Sequence, residues 1–439
     1  MPIQAQPLPD SLGNLAAVEA ELCDLVRAMP TAPGPAGPGR PAILPAAALW
    51  AGLLVAVLRG FSSQLDLWRL LSIRQLWYFP RFPVSDQAVY KRLAQSSSNG
   101  LEALFVRFSA VLAARLAGKP ALKVAAFATQ VVAIDGSTLD QITRHLPLLR
   151  QLPAGDPRLL GGKIAGMFDL RLQQWRTVQV IDDPNQNDKV AARDLVSTLP
   201  PQSLVVADLG YFGYAWFDWL TDHGYWWVSR VRKDTSYQVV HTFYHQGETF
   251  DGLVWLGAYR ADRAALAVRL ITYRKGPNLH RYITNVLDPY RFPLADVAQV
   301  YARRWDIEMA FLHVKRHLGL HLLWSGQPQV IQAQVWAVLI IAQALLALRQ
   351  EIAHQAGCDY FEVSLGLMVK YLPRFAAQGL DPVAAFVESG WEAGFLRPSR
   401  RITIRAPEIP ESDLVPCPPD LVLVQTPRHA NKSRPAKPN

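Results

Sequence analysis

Apolar positions recur with helical period from near the start of the chain to about residue 120. Leu15, Val18, Leu22, Leu25 and Val26 share one face of the stretch 15–29. A Pro- and Gly-rich segment, 30–41, then interrupts the pattern and predicts a loop or linker. Helical patterns resume over 44–59, 64–77 and 101–116. Ser85 stands as an N-cap before a short helix that carries Tyr90, Lys91 and Arg92. Such a helix suits a DNA groove or an ordinary solvated surface, and the pattern leaves both open.

From about residue 126 the period changes to that of strands. The run 130–134 is short and apolar and ends at Asp135-Gly136-Ser137. Segments 162–170 and 175–181 read as a hairpin around Gln173 and Gln174. A helix over 188–199 follows, with Asp188 near its cap, then a strand at 203–207 ending at Asp208-Leu209-Gly210-Tyr211. A helix over 214–223 and a strand over 225–231 complete the series. Three strands, helix, strand, helix, strand is the order of an α/β, ribonuclease H-like core. Residues 232–281 are strand-like again, notably 253–256 and 265–273, and predict a β-rich insertion before the core resumes at 282–285. The expected organisation is a helical N-terminal DNA-binding region over 1–125, a catalytic core over 126–350 and a helical C-terminal region over 351–439. The last region ends in a basic, Pro-rich tail.

Composition sharpens this only slightly. The chain has 439 residues, half of them apolar (50%) and 18% charged, enough for two or three packed domains. A formal net charge of +9 favours a polyanionic partner. Cys23, Cys358 and Cys417 lie far apart with no C-x2-C pair, which argues against a zinc site or a disulfide framework and fits a reducing compartment. No signal-peptide pattern opens the chain. The apolar runs 46–58 and 335–348 are shorter than the roughly 20 residues a bilayer requires, so both read as buried core helices. No Walker-type phosphate loop occurs, and no nucleotide cofactor is expected.

The most informative stretch is 301–315. With about 100° of rotation per residue, Tyr301, Arg304, Glu308 and Lys315 fall on one narrow helix face. Ile307, Phe311, Val314 and Leu318 form a separate apolar stripe that would seat the helix on a core. A carboxylate flanked by cations suits work on a phosphodiester: the acid ligates a metal ion and the cations hold phosphate oxygens. Asp135 and Asp208 each end a buried-looking strand, where ligands gather in open sheets. If those strands are neighbours, the two acids reach one ion and Glu308 supplies a third oxygen. Such a set suits Mg²⁺ or Mn²⁺, in a pair of ions, rather than zinc.

The spacing Y-x2-R-x3-E-x6-K, with R-W-x-I-E inside it, resembles the signature of the DDE transposases of the insertion sequence 4 family. D-G-S after the first strand and D-x-G-Y-F after the later one resemble that family's first two carboxylate motifs. The resemblance covers about 130–325. It implies Asp135, Asp208 and Glu308 as catalytic metal ligands, and Tyr301, Arg304 and Lys315 as contacts to transposon-end phosphates. It also implies cut-and-paste transposition of an insertion sequence, a homodimer on transposon-end and target DNA, and a bacterial cytoplasmic location at the nucleoid. A ribonuclease H-like nuclease without strand transfer, or a degenerate relative that only binds DNA, are the alternatives.

Some features stay outside this pattern. Relatives can stack a flipped base on a tryptophan shortly before the Y-R-E-K helix; none stands there, and Trp255 or Tyr282 would have to substitute. His313, His317 and His321 recur opposite the acidic face and read as a solvent- or DNA-facing row. Asp140, Asp169, Asp182 and Asp183 read as turn or solvated residues, and Asp306 points away from Glu308.

Overall fold

The computed structural model describes residues 15–29, 43–119, 121–139, 151–153, 156, 159–258, 263–399 and 405–425. Asp140 and most of the basic tail lie outside them. Among the described residues five helices come first: α1 (Leu15–Arg27), α2 (Ala46–Leu58), α3 (Gln64–Ile73), α4 (Asp86–Gln95) and α5 (Asn99–Leu116). Ser63 and Ser85 cap α3 and α4 by accepting from the backbone N–H of Asp66 and Ala88. The mixed part follows in the expected order: β1 (Val131–Thr138), β2 (Lys163–Asp169), β3 (Gln174–Ile181), α6 (Asp188–Val196), β4 (Leu204–Ala207), α7 (Tyr214–Asp222) and β5 (Trp226–Arg230).

These strands lie in the order β3-β2-β1-β4-β5, antiparallel through the first three and parallel from β1 to β5. That order and sense are those of a ribonuclease H-like sheet. The region read as an insertion does not form a separate layer. Its strands β6 (Tyr237–Gln246), β7 (Thr249–Leu256) and β8 (Val268–Lys275) join β9 (Asn278–Thr284), and β9 pairs with β5, so one sheet of nine strands results. The segment 405–425 runs beside this extension: Val415 donates to the Phe243 carbonyl, and Ala267 to that of Leu423.

Helices α8 (Leu294–Arg303) and α9 (Trp305–Leu312) follow, then a single π turn at His313–His317, α10 (Pro328–Ala356), α11 (Leu365–Ala377) and α12 (Pro382–Glu388). The stretch 301–315 is therefore not one regular helix. A tight turn at Arg304, whose N–H reaches the Tyr301 carbonyl, joins α8 to α9. The π turn then adds a residue, so positions beyond it leave the 100° progression. The structure also corrects the sequence reading of the histidine row: His313 does not face solvent but is buried at 2% exposure, its Nδ1 3.4 Å from that of His317. The expected apolar stripe holds, with Ile307, Phe311, Val314 and Leu318 all in the core.

Helix α10 is the spine. It is longer than its apolar run suggests because buried glutamines interrupt the run. Among the described residues it is the one helix long and apolar enough to cross a membrane, and 94% of its apolar window is buried within the fold. Gln343 explains how a polar side chain sits there: it accepts from the Trp175 N–H (2.8 Å) and donates to the Trp175 carbonyl (2.9 Å) and the Ser109 hydroxyl (2.8 Å). It thus pairs with the outer edge of β3 as a neighbouring strand would. Helices α2, α5 and α12 pack around α10, so the N-terminal helices share a core with the sheet.

Two buried polar contacts orient the helices that follow the sheet. Arg269 on β8 holds Asp251 on β7 with two bonds of 2.6 Å, and its Nη1 donates to the Phe292 carbonyl (2.5 Å) in the turn before α8. Asp306, in the first turn of α9, accepts from Gln173 Nε2 (2.9 Å) at the tip of the β2–β3 hairpin. Asp306 and Asp169 are thus buried, not solvated; Asp169 caps its own turn by accepting from Arg171 and Leu172. Asp182 and Asp183 are exposed, as expected.

Replacing Arg269 by Met should leave Asp251 buried without its cation and cost about 3–5 kcal/mol in urea unfolding. The double change Arg269→Met with Asp251→Leu should recover most of that. A single variant as stable as wild type would show that the ion pair does not anchor this end of the sheet.

Candidate active site

Alternation along β1 decides which way its acid points. Val131 and Ala133 belong to the core cluster containing α9 and α10, whereas Val132 and Ile134 belong to the cluster on the α6–α7 side. Asp135 continues the first set and faces α9. On β4, Leu204 and Val206 face α9 and α10, so Asp208 falls on the same face. The parallel register pairs Ile134 with Ala207, and Asp135 and Asp208 are the next residue on each strand. Neighbouring strands are about 4.8 Å apart, so the two carboxylates emerge side by side.

Glu308 arrives from across this face on α9. Arg304 lies between: its Nη1 is 2.7 Å from Glu308 Oε1 and 3.9 Å from Asp135 Oδ2. Asp135 also accepts from the Gly136 N–H (2.8 Å), and Asp208 from the Gly210 N–H (2.8 Å). Burial pushes the Asp135 carboxyl up to about 6, and the charges of Asp208 and Glu308 add to this, against the Gly136 hydrogen bond and Arg304. Tyr301 is buried, packs on Tyr282 with ring centroids 4.9 Å apart, and is pushed up to about 12 chiefly by that burial. Lys315 reaches from the π turn to the Thr138 carbonyl, at the end of β1.

The structure therefore gathers all six sequence-predicted residues at the carboxyl ends of β1 and β4. The three side chains expected to hold phosphate are turned onto the protein itself: Arg304 onto acids, Lys315 onto a carbonyl, Tyr301 into the core. Among the described residues no three acidic or histidine side chains converge closely enough to hold an ion as they stand, because Glu308 is committed to Arg304. The donor chemistry nevertheless fits a hard divalent cation: three carboxylates, two of them side by side and one with a raised pKa, facing a single guanidinium. Trp255 lies on β7 in the sheet extension, whereas Tyr282 lies beside Tyr301.

Sequence reasoning missed the other side of this sheet end. Lys163 on β2 is buried and forms an ion pair with Asp188 at the start of α6. The adjacent Lys189 donates to the Phe212 carbonyl (3.0 Å), in the turn after Asp208. A topological signal was available: a helix that follows β3 must begin at the edge where β1 and β4 end, because β3 runs in the same sense as β1.

Residues 128–343 match the family model of the transposase DDE domain. The chain is 23% identical over 329 residues to the transposase of insertion sequence element IS231C from Bacillus thuringiensis subsp. berliner, covering 61% of this chain and 67% of that one. It is 25% identical over 225 residues to transposase InsG of element IS4 from Escherichia coli K12, covering 48% of this chain and half (50%) of the relative. Among solved structures, a piggyBac transposase synaptic complex with hairpin DNA aligns over 87% of this chain and 81% of that one, at 11% identity and a TM-score of 0.40. The family match, the insertion-sequence relatives and the acids brought together at one sheet end agree: residues 128–343 are a transposase DDE domain, similar to those of the IS231 and IS4 transposases.

Proposed function

We propose that the chain cuts the ends of an insertion element and joins them to target DNA, with Asp135, Asp208 and Glu308 as the acids that hold divalent ions. The observation that carries this is the β1–β4 register, which sets Asp135 beside Asp208 on the face where Glu308 and Arg304 lie. Metal dependence follows from the family; the all-oxygen donor set favours Mg²⁺ or Mn²⁺, in a pair of ions. Held by these three acids, such ions would supply activation of a water or a 3′ hydroxyl and stabilisation of the leaving oxygen of an in-line displacement.

The protein's own groups do the rest. Arg304 occupies the gap between Asp135 and Glu308 and balances their charge while no DNA is bound. An arriving phosphodiester competes for Arg304 and frees Glu308 to serve as a ligand. Lys315 lies one strand-end away and exchanges the Thr138 carbonyl for a phosphate oxygen. Buried Tyr301 supports the Arg304 guanidinium, which stands 5.9 Å from its ring centroid, and burial keeps its hydroxyl protonated. Attack and departure exchange one phosphodiester bond for another, so joining needs no nucleotide cofactor. A homodimer acting on transposon-end and target DNA in the cytoplasm, at the nucleoid, completes this reading.

Cleavage of a labelled duplex carrying the element's own end, with Mg²⁺ or Mn²⁺, tests it. Loss of a group that merely supports a ligand costs roughly 10–100-fold, so loss of a ligand in Asp208→Asn should cost at least about 100-fold. Unchanged cutting by that variant would remove Asp208 from the site. Products joined to a second duplex distinguish transposition from plain nuclease action, and wild-type binding without cutting would favour a degenerate DNA-binding protein. For the cations, Arg304→Ala and Lys315→Ala should each weaken end binding and lower the slope of log K against log salt by about 0.9. An unchanged slope would mean that neither meets phosphate.

A further inference from the structure

The first turn of α6 touches both strand ends that carry the paired aspartates. Asn187 caps the helix by accepting from the Lys189 N–H, which fixes how the next two side chains leave it. Asp188 turns towards β1. Its carboxylate pairs with Lys163, whose Nζ also donates to the Gln186 carbonyl (3.2 Å). The pair lies directly on Gly136, the residue after Asp135: a Cβ there would stand 2.3 Å from Asp188 Oδ1 and 3.0 Å from Lys163 Cε. Lys189 turns the other way and donates to the Phe212 carbonyl, in the turn that begins at Asp208. Lys163 is also the register partner of Thr138, whose carbonyl receives Lys315 from the opposite face.

We propose that Asp188, Lys163 and Lys189 form a clamp on the α6 face of the sheet that sets the spacing of Asp135 and Asp208, and through it the affinity for divalent ions. The proposal rests on the reading of those aspartates as metal ligands. Three observations support it. A buried lysine stays only where it is paired and hydrogen-bonded, so Lys163 fixes α6 to β2 and β1 firmly. The close approach at Gly136 leaves the backbone after Asp135 little room to shift. Between the two turns α6 is the shared neighbour on that face, so it transmits position from one aspartate to the other. These three are positioning residues: none faces the acids, since the clamp acts from the reverse of the sheet.

Mn²⁺ binding to the full-length protein on a duplex carrying the element's end, taken over that of the duplex alone and followed by the electron paramagnetic resonance signal of free Mn²⁺, tests the clamp without relying on turnover. Lys189→Met and Asp188→Asn should each raise the dissociation constant about 10-fold, the range for groups that hold a ligand in place. Lys189→Arg, which keeps a donor, should restore most of the affinity. Lys189 is exposed, so metal-free thermal unfolding of Lys189→Met should match wild type, which separates a local shift from misfolding. Wild-type affinity in both variants would overturn the clamp while leaving the ligand assignment intact. No Mn²⁺ binding by wild type would remove that assignment and the clamp with it.

Discussion

The parallel pairing of β1 with β4 is the constraint on which the site depends. Ile134 opposite Ala207 fixes where two strands end, and the next residue on each is an aspartate. A slip of one residue would send one carboxylate to the α6 face and leave the other on the α9 face. Burial on both faces prevents such a slip, because Val132 and Val205 pack towards α6 and α7 while Ala133 and Val206 pack towards α9 and α10. The pairing of the two aspartates is thus a by-product of a core that could not pack in another register.

Placing acids together on a half-buried surface is electrostatically unfavourable, and the fold answers with placed cations. Two unit charges about 4 Å apart interact by roughly 4 kcal/mol at an effective dielectric near 20, large beside the net stability of a domain. Arg304 offsets this on the α9 face. On the reverse face Lys163 answers Asp188. Burial chiefly raises the Asp135 carboxyl, and the charges of Asp208 and Glu308 add to it against Arg304. A site left short of positive charge is suited to take up a divalent ion, and one whose arginine is held only by side chains can release it to a phosphate.

Much of this was legible in the sequence. Short apolar runs ending in Asp marked both strand ends, and the apolar stripe at Ile307, Phe311, Val314 and Leu318 placed the Glu308 helix against the core. Local pattern could not show that β6, β7 and β8 extend the main sheet, because that depends on β9 pairing with β5, a long-range choice with no local signature. Nor does ideal helical geometry anticipate the turn at Arg304, the π turn at His313–His317 or the burial of His313. Buried polar residues were the hardest to place. Gln343, Asp306 and Lys163 look solvated in a hydropathy reading, and each is buried because its partner lies far away in sequence, on β3, at the β2–β3 tip and on α6.

The central claim is that Asp135, Asp208 and Glu308 close around a metal ion once DNA draws Arg304 away. Crystals grown with Mn²⁺ and a duplex carrying the element's end, measured at the manganese absorption edge, would test it most directly. The account expects an anomalous peak at roughly 2 Å from oxygens of Asp135 and Asp208, with Glu308 turned from Arg304 towards the ion and Arg304 on a phosphate. A manganese peak elsewhere, or Arg304 still bridging Asp135 and Glu308 with DNA in place, would contradict it.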